Sequence, residues 1–347
     1  MSRSDPSLVV EADDAAPALV VRNLRVLLDN GGGQSTELIA GIDLDLQRGR
    51  RLALVGESGS GKSLTSLAVM SLVDHPLSME ADELTVLGTD LTRLSAKKRR
   101  AVRGSQVAMV QQDSLTALSP YYTVENQLVE ALRLRKRLSK REARAEVLRR
   151  LAEVGIPDPP KRARSYPHQL SGGLRQRVAI ALALAGDPRV LLADEPTTAL
   201  DVTVQAQILE LLRRLSDERG MSLVFITHDL GLLPGFVHEV AVMYSGRIAE
   251  RGPVDLVLSA PRHPYTRALV SAQPGRLPGE PRRPLPSIAG VPPAPSQRPS
   301  GCAFRTRCTR AADVCATSTP VLSVADGRSA ACHFPHQTAA LVPEVVA

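Results

Sequence analysis

The chain has 347 residues, of which 43% are hydrophobic and 23% charged, and its formal net charge is +7. This balance is typical of a soluble globular protein and excludes a fibrous or wholly disordered chain. No apolar run approaches the roughly 18 residues of a membrane-spanning helix.

The first residues, MSRSDPSLVVEADD, lack the apolar core and cleavage site of a secretory signal. We therefore predict a disordered tail over residues 1–17 of a cytosolic protein, a compartment in which disulfides are disfavoured.

A glycine-rich segment follows at 51–63, where RLALVGESGSGKS combines a short apolar strand, a tight turn and a helix start. This is the context of a phosphate-binding loop, in which backbone N–H groups surround phosphate oxygens at a helix N-terminus. Lys62 would reach the β- and γ-phosphates of ATP, and Ser63 would bind Mg²⁺. The predicted ATP-binding residues are Gly56, Glu57, Ser58, Gly59, Ser60, Gly61, Lys62 and Ser63.

Basic residues are concentrated in two segments, at 97–100 (KKRR) and at 133–144 (RLRKRLSKREAR). A solvated helix face, a nucleic-acid surface and an anionic membrane surface all fit such runs. A base-stacking surface is disfavoured because the chain has no Trp, five Tyr and four Phe. We expect no nucleic-acid partner.

A second apolar strand, VLLADEP at 190–196, ends in two acidic residues. Asp194 suits a carboxylate near Mg²⁺, and Glu195 suits a general base that polarises a water molecule. The pattern is weak alone, but a phosphate-binding loop on the same chain makes it strong.

The segment LSGGLRQR at 170–177 resembles the signature of ATP-binding-cassette (ABC) ATPases. Three more segments follow the family order, namely MVQQD with Gln112, TTALD with Asp201 in the D-loop, and FITHD with His228. The resemblance implies the catalytic residues Gln112, Glu195 and His228, and the Mg²⁺ ligands Ser63, Gln112 and Asp194.

The same resemblance implies a dimer, because Ser171, Gly172 and Gly173 would contact ATP that is held by the other subunit. One cassette then carries half of each active site. Leu28 stands where the family usually has an aromatic residue that stacks on adenine.

The implied architecture is the α/β fold of P-loop nucleotide hydrolases, with a RecA-like core, an antiparallel β subdomain and an inserted helical subdomain. A small cysteine-rich C-terminal domain follows. The predicted bounds are 18–272 for the nucleotide-binding domain, about 90–168 for its helical subdomain, and 273–347 for the C-terminal domain with its proline-rich connector.

Within the helical subdomain, Ser139 and Glu142 have the spacing of a capping box, and apolar residues recur after it. Those residues are Val147, Leu148, Leu151 and Val154. Tyr121 and Tyr122 would either line a groove for a membrane subunit or pack in the interior.

The segment HPYTRAL at 263–269 resembles a marker of the dipeptide, oligopeptide and nickel permease branch. This implies an ATPase at the cytoplasmic face of the inner membrane that powers peptide import with two membrane subunits, a second ATPase and, indirectly, an extracellular binding protein. Nickel or another small solute is the alternative cargo, and a soluble ATPase acting on nucleic acid or the ribosome is the alternative function.

All four cysteines lie in the last fifty residues, with the spacing C-x₅-C-x₆-C-x₁₆-C. They suggest a metal that stabilises a tail too short for its own core. Zinc sites usually contain C-x₂₋₄-C pairs, whereas a [4Fe–4S] cluster accepts wider spacing, as the resemblance also implies. We expect the cluster, with zinc or no metal as alternatives, and neighbouring arginines that lower the thiol pKa values. The predicted ligands are Cys302, Cys308, Cys315 and Cys332.

Overall fold

The largest element of the fold is an eight-stranded sheet whose centre is parallel. The computed structural model describes residues 16–113, 117–136, 138–198, 200–273 and 287–335. The strand order is β12-β13-β11-β10-β3-β9-β8-β7, and the strands from β10 to β7 run parallel. Its strands are β3 (Arg51–Val55), β7 (Val107–Val110), β8 (Val190–Asp194), β9 (Ser222–Thr227), β10 (Glu239–Tyr244), β11 (Arg247–Pro253), β12 (Ser323–Ala325) and β13 (Arg328–Ala330).

Burial explains why the central strands have almost no polar residues. Every residue of β3, β8 and β9 is buried, as expected for parallel strands that are covered on both faces. The carboxyl ends of these strands meet at one edge of the sheet. The phosphate-binding loop after β3 and the acidic pair after β8 therefore come together there.

The second sheet is antiparallel and has five strands, which confirms the expected antiparallel β subdomain. Strand β1 is central and pairs with β2, β4 and β5. The strands are β1 (Leu19–Asp29), β2 (Ser35–Leu46), β4 (Leu77–Glu80), β5 (Glu83–Val86) and β6 (Thr89–Asp90).

Helices pack against the large sheet. The three helices within residues 124–163 also contact one another and form a helical group that precedes the signature segment. No helix among the described residues is long and apolar enough to span a bilayer. The α-helices are α1 (Lys62–Val69), α2 (Ala96–Val102), α3 (Val124–Lys136), α4 (Lys140–Glu153), α5 (Pro159–Ala163), α6 (Gly172–Ala183), α7 (Val202–Arg219), α8 (Val254–Ser259), α9 (Pro264–Ser271) and α10 (Asp313–Thr317).

The start of α4 confirms the predicted capping box, since the Ser139 side chain accepts from the Glu142 N–H while the Glu142 side chain accepts from the Ser139 N–H. Of the four recurring apolar residues, Val147, Leu151 and Val154 are buried. Leu148 is 38% exposed. The reason is geometric, because the residue after Val147 lies about 100° further round the helix.

An ion network joins the helical group to the large sheet. Arg150 of α4 is only 2% exposed and contacts Glu146 at 2.9 Å and Asp187, just before β8, at 2.5 Å. Lys136 reaches the other oxygen of Asp187, and Arg219 contacts both Glu153 and Asp187. Hydrogen bonds from Arg149 and Arg150 lower the pKa of Glu146 to about 2.

The C-terminal residues extend the large sheet instead of forming a separate layer. Strand β13 pairs with β11, with Ala330 opposite Glu250 and Ser329 opposite Arg251. Arg262 adds a 2.5 Å contact to Asp326 in the turn between β12 and β13.

The predicted domain bounds stay predictions. Some residues of the predicted tail, connector and C-terminal domain lie outside the part of the chain that the structure describes. Residues 1–15 of the predicted tail, 274–286 of the connector and 336–347 at the end are in that position. The range predicted for the helical subdomain, about 90–168, contains β7, which is a strand of the large sheet.

Candidate nucleotide site and C-terminal cysteine cavity

The loop after β3 has the close approaches that only glycine permits. At Gly56, φ is 154° and a Cβ atom would lie 2.2 Å from the Met243 carbonyl oxygen. The Nζ of Lys62 donates to the carbonyls of Gly56 (2.9 Å) and Glu57 (3.0 Å), so the lysine holds the loop in shape. Burial lowers the pKa of Lys62, while the nearby carboxylates of Glu195 and Asp194 oppose that shift.

The end of β8 places Asp194 beside the loop. Its carboxylate is buried and accepts a 3.0 Å hydrogen bond from the Ser63 hydroxyl. Burial raises the pKa of Asp194, and the Ser63 hydrogen bond partly offsets this. A hydroxyl and a carboxylate in contact match the oxygen ligands that Mg²⁺ prefers.

The Glu195 carboxylate accepts hydrogen bonds from Gln112 and Thr198 and lies in contact with the His228 ring. Its Oε2 atom lies 3.1 Å from Nε2 of Gln112, 2.9 Å from Oγ1 of Thr198 and 3.3 Å from Nδ1 of His228. The Glu195 backbone is left-handed, with φ 44°, a conformation that is costly for a residue with a side chain. The three contacts fix the carboxylate at the edge of a pocket, where it can act on a water molecule.

One open pocket unites these groups. Of the predicted site residues, Ser58, Gly59, Gly61, Lys62, Ser63, Gln112, Glu195 and His228 line it. Four lining residues were not predicted individually: Leu38, Leu64, Thr198 and Pro295. Thr198 could have been predicted because it lies in the TTALD segment, whereas no sequence pattern indicated Pro295.

The apolar part of the pocket wall comes from Leu38, Leu64 and Pro295. Leu28, the residue at the expected adenine position, is not among the described residues that line the pocket. Arg298, one turn after Pro295, donates to the Glu37 carbonyl at 2.9 Å. This contact fixes the connector against β2 beside the pocket.

The signature segment lies elsewhere on the chain. Ser171 caps α6 and its hydroxyl accepts from the Leu174 N–H at 3.4 Å. A Cβ atom on Gly173 would lie 2.6 Å from Cγ1 of Val204, so glycine lets α6 approach α7. Asp201 caps α7. Among the described residues, none from 171–173 lines the phosphate pocket.

The HPYTRAL segment connects the sheet edge to the phosphate-binding loop. His263 caps α9, and its Nδ1 accepts from the Tyr265 N–H at 3.0 Å. The buried Glu250 carboxylate accepts from the N–H groups of Arg262 and His263, both at 2.8 Å. The Tyr265 hydroxyl accepts from the Glu57 N–H at 2.8 Å.

His263 should make stability fall at mildly acidic pH. Burial lowers its pKa to about 4, from 6.5, although a hydrogen bond with the Ala331 backbone opposes the shift. Below pH 6.5 the unfolded chain binds a proton that the folded chain does not, so stability is lost until the pH approaches 4. Between about pH 7 and about pH 5 we expect a loss of about 2 kcal/mol from this residue.

The measurement is urea unfolding at the two pH values for the wild type and for His263→Asn. Asparagine does not titrate there and can still cap α9. We expect the variant to lose about 2 kcal/mol less than the wild type between the two pH values. Equal losses in the two proteins would contradict the assignment to His263.

The four cysteines are free thiols that line a single cavity. His263, Phe304 and Arg310 contribute to its wall. In the described part of the chain, no three His, Cys, Asp or Glu side chains are close enough to hold one metal ion.

The expectation of low thiol pKa values was wrong. Burial raises the pKa of Cys302 to about 11 and also raises the pKa values of Cys308 and Cys332. Arg310 acts in the opposite direction on Cys308 and Cys332, but its effect is smaller than that of burial. Arg307 forms an ion pair with Glu57.

Tyr121 and Tyr122 are surface residues, with 84% and 58% exposure. Interior packing, one of the two alternatives considered from the sequence, is therefore excluded. They lie in the segment that follows Gln112, near the start of α3.

Comparison with known proteins agrees with this geometry. The ABC transporter family matches residues 39–198, and the family described as oligopeptide/dipeptide transporter, C-terminal region, matches residues 249–315. The chain is 48% identical to the dipeptide transport ATP-binding protein DppD of Escherichia coli (strain K12), over 85% of this chain and 90% of that protein. It is 47% identical to a putative peptide import ATP-binding protein of Brucella abortus (strain 2308), over 91% and 95% of the two chains.

A similar solved structure is the dimeric, post-hydrolysis state of the ATP-binding cassette MJ0796 bound to ADP and Pi. The TM-score is 0.60 at 27% identity, over 68% of this chain and 98% of that one. The sequence relatives span nearly the whole chain, and the structural relative has the same cassette. The chain therefore belongs to the ABC transporter family of ATP-binding proteins, in the group with the oligopeptide/dipeptide transporter C-terminal region.

Proposed function

We propose that this chain is the ATP-hydrolysing subunit that powers import of dipeptides or oligopeptides across the cytoplasmic membrane through partner permease subunits. The observation that carries the proposal is the single pocket in which the phosphate-binding loop faces Gln112, Glu195 and His228. The names of the two bacterial relatives support peptides as cargo.

In this proposal the loop N–H groups and Lys62 bind the phosphates of ATP. Ser63, Asp194 and Gln112 would hold Mg²⁺, which neutralises phosphate charge when bound. The contact between the Ser63 hydroxyl and Asp194 supports this assignment. Glu195 polarises the attacking water, and His228 contacts the γ-phosphate.

A second cassette would complete the site. Ser171, Gly172 and Gly173 lie outside the chain's own pocket, and their helix N-terminus offers N–H groups to an anion. We infer that they contact ATP on a partner ATPase, and that this partner is a different chain. Mixing the purified chain with ATP alone tests the second point, because a stable dimer of identical chains would contradict it.

The membrane subunits would dock near Tyr121 and Tyr122, whose exposure leaves them available for a partner. In this proposal the chain lies at the cytoplasmic face of the membrane, and the extracellular binding protein contacts the permease only.

The test is ATP hydrolysis by the complex reconstituted in vesicles with both membrane subunits and a binding protein. Stimulation by dipeptide- or oligopeptide-loaded binding protein is the expected result. Stimulation by nickel alone would show that the cargo is nickel and not a peptide. Stimulation by RNA or ribosomes, without any effect of the membrane subunits, would overturn the transport function in favour of an ATPase that acts on nucleic acid or the ribosome.

We also propose that the four cysteines hold a [4Fe–4S] cluster. The supporting observation is that all four thiols line one cavity. In such a cluster each thiolate binds a different iron, so the ligands need not converge on one point as zinc ligands must. Arg310 in the cavity wall would offset the negative charge of the site.

Anaerobic purification of the complex, followed by iron and sulfide analysis, tests the cluster. About four irons and four sulfides per chain, with broad visible absorption, are expected. The Cys302→Ser variant should lose both. Zinc, or no metal, in the wild type would overturn this proposal and leave the ATPase proposal unaffected, since that depends on other residues.

A further inference from the structure

An ion pair between a buried arginine and a partly exposed glutamate connects the cysteine segment to the phosphate-binding loop. Arg307 lies one residue before Cys308, yet its guanidinium forms two contacts with the Glu57 carboxylate, at 2.6 and 3.0 Å. The Arg307 side chain is only 3% exposed. A bidentate pair of this kind has both a fixed direction and a strong charge-assisted hydrogen bond.

The surroundings hold the Arg307 side chain in one orientation. Its Nε donates to the Ala289 carbonyl at 2.8 Å, and its Nη2 donates to the Gly290 carbonyl at 3.2 Å. The guanidinium carbon lies 5.9 Å from the ring centres of both Tyr244 and Phe304. The Arg307 guanidinium is therefore fixed in position, and its ion pair can fix the position of Glu57 in the phosphate-binding loop.

Glu57 is held on every side by residues of different segments. Its N–H donates to the Tyr265 hydroxyl at 2.8 Å, its carboxylate accepts from Arg307, and its carbonyl accepts from Nζ of Lys62 at 3.0 Å. A displacement of Glu57 would thus act directly on the lysine that is assigned to the ATP phosphates.

The charge of Glu57 gives the pair a second effect. A carboxylate within a phosphate-binding loop repels a triphosphate, and the repulsion is strong where water is scarce. Arg307 neutralises that carboxylate and orients it toward the C-terminal region. Glu57 is not among the residues that line the pocket.

We propose that Arg307 is a positioning residue for ATP binding, which acts by holding and neutralising Glu57 of the phosphate-binding loop. The C-terminal region then contributes to the affinity of the nucleotide site for ATP. This inference depends on the proposed ATP site, which the affinity of the wild-type chain tests separately.

The experiment measures the Kd of a fluorescent ATP analogue with Mg²⁺ for the full chain carrying Glu195→Gln, which suppresses turnover. Adding Arg307→Met should raise Kd at least about tenfold, because it leaves the Glu57 carboxylate of the phosphate-binding loop unpaired and free to move. Arg307→Lys keeps the charge without the bidentate geometry and should give an intermediate Kd.

Two further variants separate positioning from a general loss of structure. In the double variant Arg307→Met with Glu57→Gln, the unpaired charge is absent, so Kd should fall back toward the wild-type value. Arg305→Met is the matched control, because Arg305 lies in the same turn but donates to the Ser300 carbonyl. It should change Kd by less than about twofold.

The steady-state readout is the ratio of KM to kcat in the assembled transporter. Arg307→Met should raise the KM for ATP more than it lowers kcat, since the groups around Glu195 are untouched. A Kd for Arg307→Met within about twofold of wild type, or a double variant that binds no better than Arg307→Met, would overturn the proposal. If Arg307→Met does not fold, the Kd of Arg307→Lys decides in the same way.

Discussion

A Glu195→Gln variant is expected to bind ATP with nearly unchanged affinity and to hydrolyse it at least about 100-fold more slowly. Glutamine has the same shape, so Gln112 and Thr198 keep a hydrogen-bonding partner, but an amide cannot take a proton from water. If a second cassette completes the site as proposed, binding without hydrolysis should also trap the ATP-bound dimer. Phosphate release measures the first effect, and size-exclusion chromatography with ATP measures the second.

Thr198→Val is the matched control for this prediction. It removes the 2.9 Å hydrogen bond to Oε2 of Glu195 but keeps the carboxylate. We expect a loss of about tenfold or less in kcat, equivalent to one hydrogen bond. Hydrolysis at the normal rate by Glu195→Gln would exclude Glu195 as the general base.

Replacing Arg150 by methionine should destabilise the fold by about 3 kcal/mol, the low end of the range for a broken buried ion pair. Methionine keeps the apolar stem of the side chain but leaves Glu146 and Asp187 without their buried partner. The low end applies because Lys136 still contacts both carboxylates. Urea unfolding at neutral pH measures the change.

The neighbouring Arg149 provides a control on the same carboxylate. It also pairs with Glu146, but its side chain is 59% exposed. Solvent screens such a pair, so Arg149→Met should cost less than about 1 kcal/mol. Equal losses for the two variants would show that burial does not set the strength of this network.

Local patterns predicted which groups meet at the pocket because short segments encode the phosphate-binding loop and the acidic pair. The loop at Gly56–Ser63 and the acidic pair Asp194 and Glu195 each follow one buried strand, and parallel strands bring their carboxyl ends together. The capping box at Ser139 was predictable for the same reason, since two residues three positions apart, Ser139 and Glu142, specify it.

Contacts between distant segments could not be predicted in this way. Arg307 and Glu57 are 250 positions apart, and neither residue type signals the other. Pro295 reaches the pocket through a connector whose path depends on how Arg298 packs against β2. The thiol pKa values were mispredicted because sequence proximity shows which charges are near but does not show burial, which is the larger effect here.

The pairing of β13 with β11 also determines which strand forms the edge of the large sheet. Without the C-terminal region, the seven-residue β11 would be the outermost strand, and Glu250 and Arg251 would lose their pairing with Ala330 and Ser329. Such an edge is a template for pairing with other chains, whereas the three-residue β12 that now ends the sheet is a poor one. We therefore expect a chain shortened before β12 to aggregate more readily than the full chain, even where its nucleotide pocket is intact.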